Sequence, residues 1–191
     1  MTNRLFYDTE TTGFYNFKAA PSDPKQPRIV QLAWAFDKGE DMVEWNDHII
    51  FPDGWIIPSV VTAIHGISTE IAREKGVDIK GVLKSFMKDY KEADIIVAHN
   101  ISFDEAVLNS QLIRNDYSIL PKKTTICTMH STTNILKLPG SYNNYKWPKL
   151  EEAYRFLVNS EGFSGAHNAL NDVRACRDLY YKLKENNMLS T

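Results

Sequence analysis

The feature that most constrains the fold is a short apolar run, Ile95-Ile96-Val97-Ala98, set between two segments with helical signals. Before it, Ile79, Val82, Leu83, Phe86, Met87 and Tyr90 recur at helical spacing, with Asp78 placed to cap the N-terminus. After it, His99-Asn100 leads into Ser102-Phe103-Asp104-Glu105, which matches a capping box opening a second helix. A strand that feeds a helix in this way needs other strands to pair with. They are at hand upstream. Arg4 to Thr9, with Leu5-Phe6-Tyr7 at its centre, reads as a buried strand entering a turn at Thr11-Thr12-Gly13. Ile29 to Phe36 and Val43 to Phe51 read as a hairpin joined by Asp37-Lys38-Gly39-Glu40-Asp41. Downstream, Thr125 to Cys127 is a short strand, Pro139 to Tyr145 a polar loop, and Pro148 starts a helix over Lys149 to Val158. Ala169, Leu170, Val173, Cys176, Leu179, Tyr180 and Leu183 trace one face of a last helix. Three strands followed by alternating helices and strands predict an α/β layer fold around a central mixed sheet flanked by helices.

The chain has 191 residues, 43% hydrophobic and 24% charged, the length and composition of one globular domain over 1–191. No stretch approaches the roughly 18 consecutive apolar residues of a membrane span, and no signal-peptide pattern opens the chain, so a cytoplasmic protein without membrane contact is expected. The two cysteines, Cys127 and Cys176, lack ligand spacing and are expected to be buried free thiols. A net charge of −2 argues against a long basic stripe gripping duplex DNA, because such binding rests on neutralised phosphates. It leaves room for a site holding a few nucleotides, where divalent cations supply the positive charge. Phe14 to Pro27 carries three prolines and is expected to be a surface insertion beyond the first strand.

Asp8 and Glu10 stand two residues apart at the end of a strand, so their side chains emerge on one face and converge. They are either solvated turn carboxylates or hard oxygen ligands suited to Mg²⁺ or Mn²⁺. Asp104 lies in the first turn of a helix, which favours an acid with or without function; its position just beyond an apolar strand is where sites gather in α/β sheets. Asp172 is on the last helix. His167 would lie about 140° away from it around a continuous helix, so the two share a site only if His167 sits in the loop ahead of that helix.

Together these residues resemble a known family. The runs Tyr7-Asp8-Thr9-Glu10-Thr11-Thr12-Gly13, Val97-Ala98-His99-Asn100 through Phe103-Asp104, and His167-Asn168-Ala169-Leu170-Asn171-Asp172 are similar to the three exonuclease motifs of the DEDDh (DnaQ-like) superfamily. The resemblance extends over nearly the whole chain, and Asn168 stands where the tyrosine subclass would carry tyrosine. It implies a ribonuclease-H-like fold and a 3′→5′ exonuclease in which Asp8, Glu10, Asp104 and Asp172 hold two divalent cations, Mg²⁺ or Mn²⁺. Ile64-His65-Gly66-Ile67 is similar to a family segment whose histidine touches the terminal nucleotide. The insertion from Phe14 to Pro27 and the segment from Tyr142 to Pro148, with Trp147, depart from the shared motifs.

Phosphodiester hydrolysis needs a nucleophile, charge relief on the nonbridging oxygens and a stabilised leaving oxygen, which two cations about 4 Å apart supply. A neutral imidazole, with a reference pKa of roughly 6.5, suits His167 as general base. Phe14, His65 and Phe103 are candidates for contact with the terminal bases, with Thr11, Thr12 and Asn100 beside them; core packing competes for Phe103. The expected partner is nucleic acid with a 3′ end, DNA favoured over RNA. Two other classes compete. A non-catalytic nucleic-acid- or polymerase-binding module has no need to crowd carboxylates against a phosphate chain. An integrase- or transposase-type nuclease lacks the pair formed by His167 and Asp172.

Overall fold

The computed structural model describes residues 2–39, 42–141 and 144–189. Its elements are β1 (Arg4–Thr11), β2 (Ile29–Asp37), β3 (Val43–Ile49), α1 (Ser59–His65), α2 (Thr69–Lys75), α3 (Ile79–Glu92), β4 (Ile95–Ala98), α4 (Ile101–Arg114), β5 (Thr124–Cys127), α5 (Thr128–Leu136), α6 (Leu150–Leu157) and α7 (Ala169–Glu185). The strands form one sheet in the order β3-β2-β1-β4-β5. β1 to β3 pair antiparallel, whereas β4 and β5 join β1 in parallel, so the sheet is mixed as expected. The hairpin between β2 and β3 is present; Glu40 and Asp41 of its turn lie outside the described residues.

Successive β1 side chains face opposite layers. Leu5 and Tyr7 join Leu32, Trp34 and Phe36 against Val82, Leu83 and Phe86 of α3 and Val107, Leu108 and Leu112 of α4. Phe6 joins Ala33, Ala35 and Val97 against Ala169, Val173, Cys176 and Tyr180 of α7. The alanines of β2 let α7 approach closely, and α6 lies on the far side of α7 through Ala153, Leu179 and Leu183. Phe86 and Leu83 are fully buried, each worth about 1.5–3 kcal/mol. Asp8 and Glu10, in phase with Phe6, therefore face the α7 layer.

Several local expectations change. Asp78 occupies the N-cap position of α3 without a side-chain capping hydrogen bond. Ser102 and Glu105 form no capping box, because α4 already begins at Ile101, one step after Asn100 turns the chain in a left-handed conformation (φ 68°). That turn is needed to fold α4 back from the end of β4. Pro148 precedes the N-cap Lys149 rather than starting the helix; the Lys149 amide donates to Glu152 Oε2 at 2.8 Å, and the Pro148 carbonyl is committed to His99. β1 runs on to Thr11, and β3 ends at Ile49. Helices α1, α2 and α5 have no counterpart in the sequence reading.

The proline-rich insertion is non-helical, as expected, and firmly held. Arg114 of α4 donates to the carbonyls of Asp23, Pro24, Gln26 and Pro27, and buried Gln26 bonds Asn16 from within. Cys176 is buried and Cys127 partly so; both thiols are free.

Candidate active site

β1 and β4 pair only as far as Phe6 and Val97, after which β4 ends and β1 continues. The backbone of β1 beyond that point loses its strand neighbour on one side. Asp104, folded back by the turn at Asn100, fills the place: its Oδ1 accepts the Thr9 amide at 3.1 Å and the Thr9 hydroxyl at 2.6 Å. One oxygen is thereby fixed to β1. The register irregularity between Glu10 and Thr11 then bends the strand end, a device common beside active sites.

The fourth carboxylate arrives on α7. Gln31 of β2, itself buried, donates to Asp47 at 2.7 Å and accepts the Ala169 amide at 3.2 Å, which fastens the start of α7 to the sheet. His167 lies ahead of the helix in a left-handed conformation (φ 63°), one that histidine tolerates better than most residues. Its amide donates to Asp172 Oδ2 at 3.0 Å. The five-residue separation that is incompatible with one face of a continuous helix is thus resolved by starting the helix at Ala169. Gly165 turns the chain in the left-handed region (φ 72°), which favours glycine, and its carbonyl accepts the Asn171 side-chain amide at 3.1 Å. Ligand atoms of Glu10, His167 and Asp172 all lie within 4.8 Å of one another.

The acids are crowded: Asp104 and Asp172 are withdrawn from water at 3% and 9% exposure, and Asp8 and Glu10 are half-buried. Burial pushes the Asp8 carboxyl well above its ordinary value, with Asp104, Asp172 and Glu10 adding repulsion. Burial, with Asp172 and Asp104 adding repulsion, raises Glu10 to about 8. Burial lifts Asp104 to about 7 against the opposing hydrogen bonds from Thr9, and Asp172 to about 7 against the His167 amide. No lysine or arginine forms an ion pair with these four acids among the described residues. A concentration of negative charge without a protein counter-charge, made of hard oxygen donors, fits divalent cations.

Asp8, Glu10, His167 and Asp172 line a cleft of about 490 Å³ with Phe14, His99, Asn100, Phe103, Lys149 and Glu151, and Asp104 is buried behind its wall on Thr9. An apolar slot of about 330 Å³ adjoins it, sharing Thr9, Glu10, Phe14 and Phe103 and reaching to Val60, Ile64 and His65 of α1. Phe14 is 96% exposed on the rim, whereas Phe103 also packs on the core. Thr11 and Thr12 line the slot, but their hydroxyls serve the turn: Thr11 donates to the Gly13 carbonyl and Thr12 accepts the Arg28 amide. His65 Nδ1 accepts the Ile67 amide at 3.1 Å, and burial lowers its pKa.

His99, Lys149 and Glu151 were not identified as site residues from sequence. His99 lay within a recognised motif, whereas Lys149 and Glu151 look like an ordinary helix start. Burial holds His99 neutral, with its pKa lowered to about 4. Nε2 lies 2.9 Å from the Pro148 carbonyl and so carries the proton, leaving Nδ1 to accept from the Thr128 hydroxyl at 3.0 Å. The start of α6 is thereby tied to the end of β4.

The family model RNase_T, described as exonuclease, matches residues 5–180. The chain is 31% identical over 144 residues to the DNA polymerase III subunit epsilon of Buchnera aphidicola, covering 73% of this chain and 56% of that protein. It is 28% identical over 180 residues to the uncharacterized exonuclease CP81 of Escherichia phage 186, covering 90% and 83%. Among solved structures, Exonuclease I of E. coli in complex with a dT13 oligonucleotide superposes with a TM-score of 0.75 at 21% identity, over 96% of this chain and 41% of that one. The chain thus spans less than two thirds of both the polymerase subunit and Exonuclease I. The likeness to Exonuclease I bears out the ribonuclease-H-like fold.

Proposed function

The chain belongs to the RNase_T exonuclease family, and from that premise we propose that residues 1–191 form one metal-dependent 3′→5′ exonuclease domain releasing nucleoside 5′-monophosphates. The observation that carries the reading is the meeting of Asp8, Glu10, Asp172 and His167 in one cleft, with Asp104 behind them on Thr9 and no lysine or arginine ion-paired to the four repelling acids among the described residues.

Asp8, Glu10, Asp104 and Asp172 would hold two divalent cations, Mg²⁺ or Mn²⁺. Bound there, such ions relieve charge on the scissile phosphate and favour the attacking and leaving oxygens. The protein's own groups do the positioning. Thr9 fixes one oxygen of Asp104, and the His167 amide fixes one of Asp172, so neither carboxylate has to be ordered when substrate arrives. The His167 imidazole takes the proton of the attacking water as general base. Phe14, Phe103 and His65 flank the slot beside Glu10, where the terminal nucleoside would lie with its 3′-hydroxyl, and Thr11, Thr12 and Asn100 shape its walls and the adjoining cleft. The oligonucleotide held by Exonuclease I supports a single-stranded DNA end as substrate; RNA is the alternative. Among the described residues no helix is long and apolar enough to cross a membrane, and a cytoplasmic setting belongs to the same proposal.

The test follows labelled DNA and RNA oligonucleotides, single- and double-stranded, with EDTA, Mg²⁺ or Mn²⁺. Shortening from the 3′ end that stops with EDTA and resumes with either cation is expected. Undiminished turnover after exhaustive chelation, or internal fragments appearing first, would sink the reading.

A further inference from the structure

The segment between α5 and α6 departs from the shared motifs, yet it is fastened to the active cleft. Pro139 and Tyr145 form an antiparallel bridge, with the Lys146 amide donating to the Leu138 carbonyl and the Gly140 amide to the Asn144 carbonyl. The closure is tight enough that a Cβ on Gly140 would meet the Asn144 oxygen at 2.5 Å. Lys146 pairs with Glu152 of α6 at 2.6 Å. At the cleft end, the Pro148 carbonyl is held by His99, whose ring lines the cleft. Trp147, the residue before, is therefore anchored relative to the carboxylates, and its ring lies 5.7 Å from that of His130.

Despite this anchoring Trp147 is 66% exposed. Large aromatics bury well, and the core is not where this one goes. Two residues on, Lys149 lines the cleft and forms no ion pair among the described residues. Lys149 and Leu150 belong to the part of the cleft wall that the apolar slot does not share. With the terminal nucleoside in the slot and the scissile phosphate at the acids, the preceding nucleotides have to leave across that other wall. An exposed aromatic ring two residues from a cleft-lining lysine that forms no ion pair among the described residues has the chemistry of a single-strand binding surface, where stacking tolerates any base and the cation meets phosphate.

We propose that Trp147, with Lys149 two residues on, forms a stacking subsite for a base of the single strand upstream of the scissile phosphate. The inference rests on the exonuclease reading, and two substrates separate them. The p-nitrophenyl ester of thymidine 5′-monophosphate reaches only the slot and the acids, whereas single strands of about ten nucleotides, DNA and RNA, also reach the subsite. In Trp147→Ala, kcat/KM for the ester should stay at the parent level while KM for the strands rises about 5-fold or more, the lower end of the loss of one base–aromatic stack. Trp147→Phe should restore most of it. An unchanged KM for the strands, or an ester rate that falls in step with the strand rate, overturns the subsite. A parent protein inactive on both substrates with Mg²⁺ and Mn²⁺ overturns the exonuclease reading itself and the subsite with it.

Discussion

Replacing Asp172 by asparagine should make the metal-free protein more stable while removing its activity. Asp172 is 9% exposed, and its pKa rises from an ordinary 3.8 to about 7, chiefly through burial. A folded-state value above the unfolded one means that folding favours the proton. The stability it contributes is complete below about pH 4 and is lost as pH rises to about 7, so above neutrality the fold bears the whole penalty. At 1.36 kcal/mol per pKa unit, a rise of about 3 units corresponds to about 4 kcal/mol. Asparagine remains a buried polar group with a desolvation cost of its own, so about half of this, about 2 kcal/mol, is recovered. Asparagine keeps an oxygen to accept the His167 amide, so the helix start is preserved. For a chain of this size the gain corresponds to a Tm about 4–8 °C higher. Thermal melts followed by circular dichroism, in EDTA at about pH 4 and about pH 8, give the test, with the two proteins alike at the lower pH and separated at the higher. Mg²⁺ should then raise the Tm of the parent more than that of Asp172→Asn. A variant melting at or below the parent near pH 8 in EDTA would refute the reasoning, because the carboxylates would not then be straining the fold.

His167→Ala should fold normally and keep its stabilisation by Mg²⁺, yet lose about 10² to 10⁴-fold in kcat, the usual contribution of a general base; full activity would show that the proton leaves by another route. Thr9→Val removes the hydroxyl at 2.6 Å from Asp104 but keeps the amide bond, and kcat should fall on the order of 10-fold. Steady-state rates equal to the parent's would mean that the amide alone orients the carboxylate. A 3′-phosphate should block degradation, since its charge of roughly −1.5 to −2 has to enter beside Asp8 and Glu10. Oligonucleotides labelled at the 5′ end and differing only in 3′-hydroxyl or 3′-phosphate check this on a gel, where equal laddering of both would contradict it.

What the sequence by itself determined is whatever is written in local spacing. β1, β2, α3, β4 and α7 carry apolar periodicity over their own length, and their boundaries differ from expectation by at most two residues. Asp8 and Glu10 share a face because strand geometry dictates it. Helices α1 and α2 are only seven residues long, too short to show a period, and α5, Thr-Met-His-Ser-Thr-Thr-Asn-Ile-Leu, is made largely of residues with poor helix propensity. Its burial at Thr128, Met129 and Thr132 supplies what propensity does not.

Tertiary structure decided what the acids do to one another. Asp104 is ordinary in the first turn of a helix until the early end of β4 leaves the Thr9 amide for it to bind. His167 and Asp172 meet because the chain turns left-handed before α7, and Gln31, 138 residues before Ala169, fastens that turn to the sheet. Motif resemblance named these five residues, but local spacing alone did not bring them together. The raised pKa values, and with them the need for cations, arise only when three segments distant in sequence, β1, α4 and α7, are packed against one another. No pattern local to any one segment encodes the distance between them.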